Sequence, residues 1–361
     1  MRIDILSNKL ATDRFGGVAR YIVELAKAIN KTSNHVRLDA KVFQNEYLRR
    51  SCGELGHNGI FSKKFGRFAP TINSVLRSSV VGGRLRSDLT HSTFYERPSV
   101  GFRNAPSVLT VYDMIHEVFY PRQRFVAVKR KAFKRADRMI AISEHTKCDI
   151  VERWDADPDT IDVVHLASSI EDVIREPTWV SPTPAPYLLW VGSRGFYKNF
   201  RRFVQALPLT SCYQDGVGVV CAGGAGFSSK NLEDLHTSGV DPRRVVHVSP
   251  SEAELAGLYE HASMLVYASE YEGFGIPLLE AMQLGCPVVA SDTSSMPEVA
   301  EDAAEYCDPL SCDSIATAID SVYYDSTKRQ FLIDRGRKRA RRFSWKRCGE
   351  ETIETYLKAI G

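Results

Sequence analysis

The chain has no long apolar run and no closely spaced pair of cysteines. No stretch of about 18 apolar residues occurs, and the first residues lack the apolar core that a signal peptide needs. The eight cysteines form no Cys-x-x-Cys pair, so a disulfide framework and a structural zinc site are not expected. These absences predict a cytoplasmic protein that does not cross a membrane and keeps its thiols reduced.

An excess of charge of one sign is also missing. Lys and Arg number 47 and Asp and Glu 44, which leaves a formal net charge of +3. Nucleic acid is therefore not an expected partner, because a protein whose surface binds it is usually far more basic. A chain of 361 residues, 43% of them hydrophobic, exceeds what one core usually supports. Two domains of about 150 to 200 residues are expected.

The most informative stretch lies between two short apolar runs of strand length, Met264–Ala268 and Pro287–Ser291. Between them, Gly275 falls in a loop, Pro277 suits the first position of a helix, and Gly285 suits the left-handed residue that ends it. The pattern predicts strand, loop, helix and strand. Such a unit places its loop at the carboxyl edge of a parallel sheet, where doubly wound folds bind ligands.

The loop itself predicts a phosphate site. Amide groups around Ile276 to Leu279 would point at a bound anion, because the first N–H groups of a helix lack intrahelical partners. Glu272 in the loop and Glu280 near the first helical turn are expected to border the same cavity. Structural alternatives exist for both features. The helix dipole favours an acidic residue in any first turn, and a glycine-rich loop alone is weak evidence.

A cationic loop follows another apolar run, Tyr187–Val191. It contains Gly192, Arg194 and Lys198, and the apolar spacing after Lys198 predicts a helix. A cation is electrostatically unfavourable at a helix N-terminus, and a diphosphate between Lys198 and the helix would remove the misfit. The alternative is an exposed surface lysine.

The first part of the chain also has glycine and acid where predicted strands end. Gly16 and Gly17 precede a helix predicted by the apolar spacing from Val18 to Ile29, and Asp113 follows the apolar strand Ser107–Tyr112. Taken alone, the glycine pair is simply a turn. An aspartate that closes a strand is often the cap of the next helix.

The segment Pro121–Arg138 is the most basic of the chain, and residues 129–131 are all cations. A solvated helix face is the default interpretation. The alternative is that this helix, with the cations near 63–67 and 77–86, binds an anionic membrane surface or a lipid-linked diphosphate acceptor.

Residues 272–280, Glu-Gly-Phe-Gly-Ile-Pro-Leu-Leu-Glu, resemble the E-x7-E segment of the retaining glycosyltransferases of family 4. The resemblance implies an α/β protein of the GT-B fold, with two doubly wound Rossmann-like domains facing a central cleft. The four prolines of segment 175–186 favour an extended connector and place the domain boundary there. The expected parts are an acceptor-binding domain 1–175, a nucleotide-sugar-binding domain 176–344 and a terminal helix 345–361 that returns to the first domain.

The resemblance also implies roles for single residues of the second domain. Gly192 and Lys198 match the spacing of a glycine and a lysine on the donor diphosphate, and Arg194 lies one residue later than the usual arginine. Amides near 274–276 would contact phosphate or sugar. Glu272 would bond the sugar and stabilise positive character at its anomeric carbon. Glu280 would accept hydrogen bonds from ribose hydroxyls.

In the first domain, Gly16 and Gly17 resemble a glycine pair that borders the donor phosphate and the acceptor. Asp113 matches the aspartate of a His-Asp pair whose histidine reaches the donor sugar in many members of the family. Here the histidine position is occupied by Tyr112. Whether Tyr112 or the later His116 takes that role is left open.

The sequence therefore predicts a retaining hexosyltransferase of polysaccharide or lipopolysaccharide biosynthesis. Its substrates would be a nucleotide-diphosphate sugar and a glycan or lipid-linked acceptor. GDP-mannose is the expected donor, because residues 112–117 are similar to bacterial polysaccharide mannosyltransferases. Cations replace a metal in this scheme, so neither a metal nor another cofactor is expected.

Two other classes remain open at this point. One is a sugar-nucleotide epimerase or glycan phosphorylase on the same fold. The other is a non-catalytic module that binds nucleotide sugars, which the Tyr112 departure favours. The expected location is the cytoplasm, with peripheral attachment to the inner face of the membrane as an option.

Overall fold

A computed structural model of the chain shows two compact units. One comprises Met1–Leu166 with Ser344–Gly361, and the other is Ala167–Phe343. The division falls after Leu166, a few residues before the boundary placed at 175 by the prolines, and the terminal segment belongs to the first unit. The structure describes residues 1–62, 68–73, 87–95, 105–121, 124–175, 179–184 and 186–361.

The first unit is built on a six-stranded sheet in which every neighbouring pair is parallel. The strands of this unit are β1 (Arg2–Leu6), β2 (His35–Asp39), β3 (Val42–Phe43), β4 (Ile60–Phe61), β5 (Leu89–Ser92), β6 (Ser107–Val111), β7 (Arg138–Ala141) and β8 (Ile161–Val163). The large sheet has the order β2-β1-β5-β6-β7-β8, and β3 pairs with β4 separately. In the register, Ile3 faces both Val36 and Leu89.

The helices of the first unit include Lys9–Thr12, Gly17–Asn30, Glu46–Leu55, Ile115–Phe119, Arg124–Phe133, Glu144–Trp154 and Trp345–Ile360, with a short 3-10 helix at Pro158–Thr160. The spacing that predicts a helix from Val18 to Ile29 is confirmed, and its apolar side is buried. Helix Trp345–Ile360 packs against this helix. Gly349 permits the approach, because a Cβ there would lie 2.9 Å from the Cβ of Ala28.

The second unit has a six-stranded parallel sheet of its own. Its strands are β9 (Tyr187–Val191), β10 (Gly218–Ala222), β11 (Val245–Val248), β12 (Met264–Tyr267), β13 (Val288–Ser291) and β14 (Glu305–Cys307). The order β11-β10-β9-β12-β13-β14 is that of a doubly wound sheet. The order reverses between β9 and β12, which makes this the position at which such sheets bind ligands.

The helices of the second unit are Phe200–Ala206, Ser211–Gln214, Ser229–Thr237, Glu252–His261, Ile276–Gln283, Met296–Ala300, Cys312–Tyr324 and Ser326–Ala340. Short 3-10 helices occur at Phe196–Lys198, Leu207–Leu209, Pro242–Arg244 and Glu301–Ala303. The core packs aromatic and aliphatic side chains between sheet and helices, as where the ring of Trp190 stacks on Phe203 at 5.1 Å. Over the described ranges, no helix has the length and apolar character that a membrane span requires.

Candidate functional site

Two loops meet where the order of the second sheet reverses. Residues 192–199 follow β9 and residues 268–275 follow β12. The backbone N–H of Glu270 donates to the carbonyl oxygen of Tyr197 at 2.8 Å, which joins one loop to the other. Because both loops lie at the carboxyl ends of neighbouring parallel strands, they form the candidate ligand site of the second unit.

Lys198 and Glu272 form an ion pair across these loops. The Lys198 ammonium donates to Oε1 of Glu272 at 2.6 Å and to the hydroxyl of Tyr267 at 3.1 Å. Their side chains are only 13% and 9% exposed. Glu272 thus supplies a negative charge beside the cation that precedes the helix, so a diphosphate is not needed to explain Lys198 at this position.

Tyr267 is a site residue that sequence reasoning missed. It reads as the end of an apolar strand, and in the structure its hydroxyl accepts from Lys198. Burial raises the pKa of Tyr267 well above its ordinary value, the charge of Glu272 raises it further, and Glu280 acts in the same direction. Tyr267 therefore remains a neutral phenol at physiological pH, close to both carboxylates.

Asn199 is a second residue that sequence reasoning missed. It is 4% exposed, and its side-chain amide donates to the carbonyl oxygens of Ala268 at 2.9 Å and Pro309 at 2.6 Å. Its φ of 63° is left-handed, a conformation in which asparagine is enriched. Asn199 thus ties the loop after β9 to those after β12 and β14.

Arg194 has different partners from Lys198. It donates to the carbonyl oxygen of Gly223 at 3.3 Å, and its guanidinium lies 5.0 Å from the ring centre of Phe227. These partners follow β10. The loop after β10 lies close to the loop after β9, because a Cβ on Gly224 would lie 3.1 Å from the Cα of Ser193.

The glycine loop after β12 is held by the loop after β13. The N–H of Glu272 donates to Oγ of Ser294, and Oγ of Ser295 donates to the carbonyl oxygen of Glu272, both at 2.9 Å. Gly275 has a φ of 93° and immediately precedes helix Ile276–Gln283. The predicted strand, glycine loop, helix and strand are therefore present.

The helix begins one residue earlier than the sequence placed it. Ile276 is its first residue and Pro277 its second, and Gly285 is left-handed at φ 72°, as predicted. Phe274 is 2% exposed and its ring packs edge-on against Phe343 at 5.8 Å, so its side chain belongs to the core.

Glu280 lies near the first helical turn, as predicted, but just after it. Because the helix starts at Ile276, Glu280 is its fifth residue, and the first turn contains no acidic residue. The side chain is 5% exposed, and its Oε2 accepts a hydrogen bond from the hydroxyl of Tyr259 at 2.8 Å. The helix dipole, which favours a carboxylate in the first turn, therefore does not explain why an acidic residue occurs at position 280.

The first unit contains a cavity of about 380 Å³ at the carboxyl ends of β1, β5 and β6. Tyr112, Asp113 and His116 all line it, and His116 lies in helix Ile115–Phe119. The hydroxyl of Tyr112 donates to the carbonyl oxygen of Thr93 at 2.8 Å. The lining residues are Lys9, Val18, Phe94, Tyr95, Tyr112, Asp113, His116 and Phe125.

Asp113 is not the cap of the next helix, because the N-cap residue of helix Ile115–Phe119 is Met114 and no side chain caps it. Oδ1 of Asp113 instead accepts from the N–H of Ile115, two residues on, at 3.0 Å. Gly17 is the first residue of helix Gly17–Asn30, after Gly16 with a φ of 141°. Its neighbour Val18 lines the cavity.

Lys129 does not face solvent, contrary to the interpretation of residues 129–131 as an exposed cationic surface. It is fully buried, and its ammonium donates to Oε2 of Glu117 at 2.7 Å and to the carbonyl oxygen of Asp113 at 2.8 Å. The cations near 63–67 and 77–86 lie outside the described residues. The exposed cations of the basic helix and the turn after it are Arg124, Arg130, Lys131, Lys134 and Arg135.

Two Asp-x-Asp triplets occur between Asp155 and Asp159. Asp155 is left-handed and ends helix Glu144–Trp154, and Asp157 accepts from the N–H of Asp159 at 2.9 Å. Both therefore have local structural roles. Within the part of the chain that the structure describes, no three His, Cys, Asp or Glu side chains are grouped as metal ligands would be.

Comparison with known proteins gives matches along most of the chain. Residues 15–168 match the family model described as Glycosyltransferase Family 4, and residues 175–339 match Glycosyl transferases group 1. The chain is 30% identical over 253 residues to O-antigen chain mannosyltransferase B of Escherichia coli, covering 66% of each protein. It is 27% identical to O-antigen chain mannosyltransferase RfbU of Salmonella typhimurium, covering 59% of this chain and 60% of that protein.

The matches thus span less than two thirds of the length of each of these two relatives. Among solved structures, HepE of Anabaena in complex with UDP and glucose superimposes with a TM-score of 0.75 at 17% identity. The match covers 99% of this chain and 100% of that one.

Proposed function

The chain belongs to the group 1 and family 4 glycosyltransferases and has their GT-B fold, and on this basis we propose that it transfers a hexose from a nucleotide-diphosphate sugar. The acceptor is a glycan or a lipid-linked glycan of polysaccharide or lipopolysaccharide biosynthesis. Transfer proceeds with retention of anomeric configuration, as the family resemblance implies. No metal takes part, since cationic side chains neutralise the leaving diphosphate.

The observation that carries the proposal is the convergence of Lys198 and Glu272 where the second sheet reverses its order. Lys198 and Arg194 are assigned to the diphosphate. The amides of Phe274, Gly275 and Ile276 are assigned to phosphate or sugar, at the start of helix Ile276–Gln283.

The two carboxylates have separate roles. Glu272 bonds the transferred sugar and stabilises positive character at its anomeric carbon. Glu280 accepts from ribose hydroxyls and is oriented by the hydroxyl of Tyr259. A positioned carboxylate is effective here because the site is largely buried and its groups need little reorganisation.

The first unit is assigned to the acceptor. Asp113 lines its cavity and acts beside the reacting groups, and Gly17 allows close approach of substrate to the start of helix Gly17–Asn30. Tyr112 and His116 both line this cavity, but the hydroxyl of Tyr112 donates to the carbonyl oxygen of Thr93, which supports His116 over Tyr112 in the role of the family's histidine.

GDP-mannose is the proposed donor. Support comes from the chain's similarity to two O-antigen chain mannosyltransferases. They are 30% and 27% identical to it over the matched residues. We place the protein in the cytoplasm, with its basic helix Arg124–Phe133 next to an anionic membrane surface.

A thermal-shift series with GDP, UDP, ADP and TDP tests the proposal. A ligand present at about 100 times its dissociation constant adds roughly 2.7 kcal/mol to the stability of the unit that binds it. GDP is expected to give the largest shift, and Lys198→Met is expected to reduce it. If no nucleoside diphosphate shifts the wild-type transition, the proposed function is wrong; if UDP gives the largest shift, the donor assignment is wrong.

A further inference from the structure

Tyr267 contacts both halves of the candidate ligand site of the second unit. It is the last residue of β12 and is 3% exposed. The ammonium of Lys198 lies 5.2 Å from the centre of its ring, and a Cβ on Gly275 would lie 3.5 Å from Cε1 of the same ring. The ring therefore lies against the cation of the loop after β9 and against the glycine that precedes helix Ile276–Gln283.

The hydroxyl of Tyr267 makes two hydrogen bonds of opposite direction. It accepts from the ammonium of Lys198 at 3.1 Å, and it donates to the carboxylate of Glu272, since an ionised carboxylate can only accept. The other titratable groups that face this hydroxyl are Tyr197, from the loop after β9, and Glu280, from helix Ile276–Gln283. One neutral phenol thus bridges the two members of the ion pair.

Lys198 keeps one N–H group for a ligand. An ammonium has three donors, and among the described residues two of them are used, one on Glu272 at 2.6 Å and one on Tyr267. Two bonds in different directions fix both the position of Nζ and the rotation about the Cε–Nζ bond, so the third N–H has a single direction. The side chain is 13% exposed, which leaves a path for an anion to this hydrogen.

The phenol also compensates the carboxylate of the ion pair. The backbone of Glu272 is held on both sides by the hydroxyls of Ser294 and Ser295, so the carboxylate is not free to follow a moving cation. A diphosphate that draws Lys198 toward itself would weaken a buried ion pair, which is costly for the carboxylate left behind. The O–H of Tyr267 remains as a donor to Glu272 and reduces this cost.

We propose that Tyr267 is a positioning residue of the transfer reaction: its hydroxyl aims the third N–H of Lys198 at the donor diphosphate and keeps Glu272 hydrogen-bonded while the cation is shared. The inference rests on the proposed function and adds a residue to the assigned site. A purely structural role, in which the hydroxyl only satisfies its own hydrogen bonds at the end of a buried strand, predicts no dependence of nucleotide binding on Tyr267 through Lys198.

The test is titration calorimetry on the full chain with GDP, UDP, ADP and TDP, because all four carry the diphosphate to which Lys198 is assigned. Tyr267→Phe removes the hydroxyl and keeps the ring. It is expected to weaken binding of the tightest of the four about fivefold, because the cation loses its preorganised direction.

Tyr187→Phe is the matched control. Tyr187 is buried on the neighbouring strand β9, at the end remote from the site, and its hydroxyl donates to the carbonyl oxygen of Leu258 at 2.8 Å. This variant also loses a buried hydrogen bond but should bind the diphosphate as the wild type does. Equal losses of affinity in Tyr267→Phe and Tyr187→Phe would contradict the assignment.

A double-mutant cycle separates positioning from a structural effect. In a Lys198→Met background, Tyr267→Phe is expected to change the dissociation constant less than about twofold, since no ammonium is left to direct. In a Glu272→Gln background it should again weaken binding at least about fivefold, because the phenol then holds Lys198 without the carboxylate. The second background gives a reading even when Lys198→Met binds too weakly to titrate. Losses of equal size in the wild-type and Lys198→Met backgrounds, or no loss in Glu272→Gln, would overturn the inference.

Urea unfolding of the single variants completes the comparison. If Tyr267→Phe fails to fold while Tyr187→Phe folds, the hydroxyl of Tyr267 serves stability and the inference is wrong. Absence of binding of all four diphosphates to the wild type is a separate result that contradicts the proposed function itself. Normal binding by the wild type with unaltered binding by Tyr267→Phe contradicts only this inference, so the two fail distinguishably.

Discussion

The ammonium of Lys198 lies 2.6 Å from Oε1 of Glu272, although 74 residues separate the two in the chain. Both side chains are largely buried, and the hydroxyl of Tyr267 completes the cluster. The cation assigned to the diphosphate is therefore neutralised by a carboxylate of the protein itself. An incoming diphosphate would have to share Lys198 with Glu272.

Glu272→Gln is expected to tighten binding of a nucleoside diphosphate while lowering turnover. Removing the carboxylate leaves Lys198 available to the phosphates, and a tenfold lower dissociation constant corresponds to about 1.4 kcal/mol. Titration calorimetry with GDP measures the change. Glu233→Gln, at an exposed position of helix Ser229–Thr237, is the control and should leave the constant unaltered. Unchanged or weaker binding by Glu272→Gln would refute the competition between Glu272 and the diphosphate.

Lys198→Ala and Glu280→Gln are each expected to lower turnover by at least about tenfold, equivalent to roughly 1.4 kcal/mol. Lys198 is assigned to the leaving group and Glu280 to the ribose. Tyr259→Phe removes the hydroxyl that donates to Glu280 and should cause a smaller loss in the same direction. Initial rates with saturating donor provide the measurement. Near-normal rates in both Lys198→Ala and Glu280→Gln would show that the site has been assigned wrongly.

Lys129→Met is expected to destabilise the first unit by about 3 to 5 kcal/mol, because it leaves the buried carboxylate of Glu117 without its cation. Arg130→Met changes the next residue on the same helix, which is exposed, and should stay within about 0.5 kcal/mol of wild type. Urea unfolding of both variants gives the comparison. Similar urea midpoints for the two variants would show that the ion pair of Lys129 with Glu117 does not stabilise the first unit.

The first unit is expected to become less stable as the pH is lowered, because of His91. This residue is fully buried between Tyr356 and Thr110, each 2.7 Å from one ring nitrogen, and burial lowers its pKa to about 3. The unfolded chain takes up the proton near pH 6.5 and the folded chain only near pH 3. The stabilisation is therefore complete above pH 6.5 and is lost as the pH falls toward 3.

The expected contribution to the slope is about 1.4 kcal/mol per pH unit across this window. Urea unfolding between pH 7 and pH 4 measures the slope, and His91→Gln should make it shallower. His35 is exposed on β2, so His35→Gln is the control and should leave the slope unaltered. A wild-type slope that persists in His91→Gln would assign the acid sensitivity to other groups.

Binding to anionic vesicles tests the membrane proposal. The triple charge reversal of Arg130, Lys131 and Lys134 is expected to lower partitioning at least about a hundredfold at low salt, since each cation near an anionic surface contributes about 1 kcal/mol. Lys129 is left out because it is buried. Reversal of the exposed Lys230, Lys338 and Arg341 of the second unit is the control. Flotation that fails for the wild type, or is equally weakened by both triples, would exclude this helix as the contact.

Local patterns along the chain predicted much of the second unit. The apolar runs before and after the glycine loop are β12 and β13, each within a residue of its predicted bounds, and Gly285 has the expected left-handed φ. Such features depend on neighbours a few residues away, so they can be read directly from residue order. The segment 272–280 also identified the family, because its acidic residues, glycines and proline have the spacing of the family's E-x7-E segment.

Tertiary structure alone decided which of these residues meet. Lys198 and Glu272 are brought together because β9 and β12 are neighbours in the sheet, and the crossover connections that make them neighbours leave no local signal. The burial of Lys129 also depends on tertiary packing, because its ammonium binds the carbonyl oxygen of Asp113 and the carboxylate of Glu117. The sequence of its helix alone predicts a solvated basic face. Residue order determined the elements and the family, whereas packing over long sequence separations determined the charge partners. A side chain's exposure and counter-charge depend on atoms contributed by remote segments of the chain.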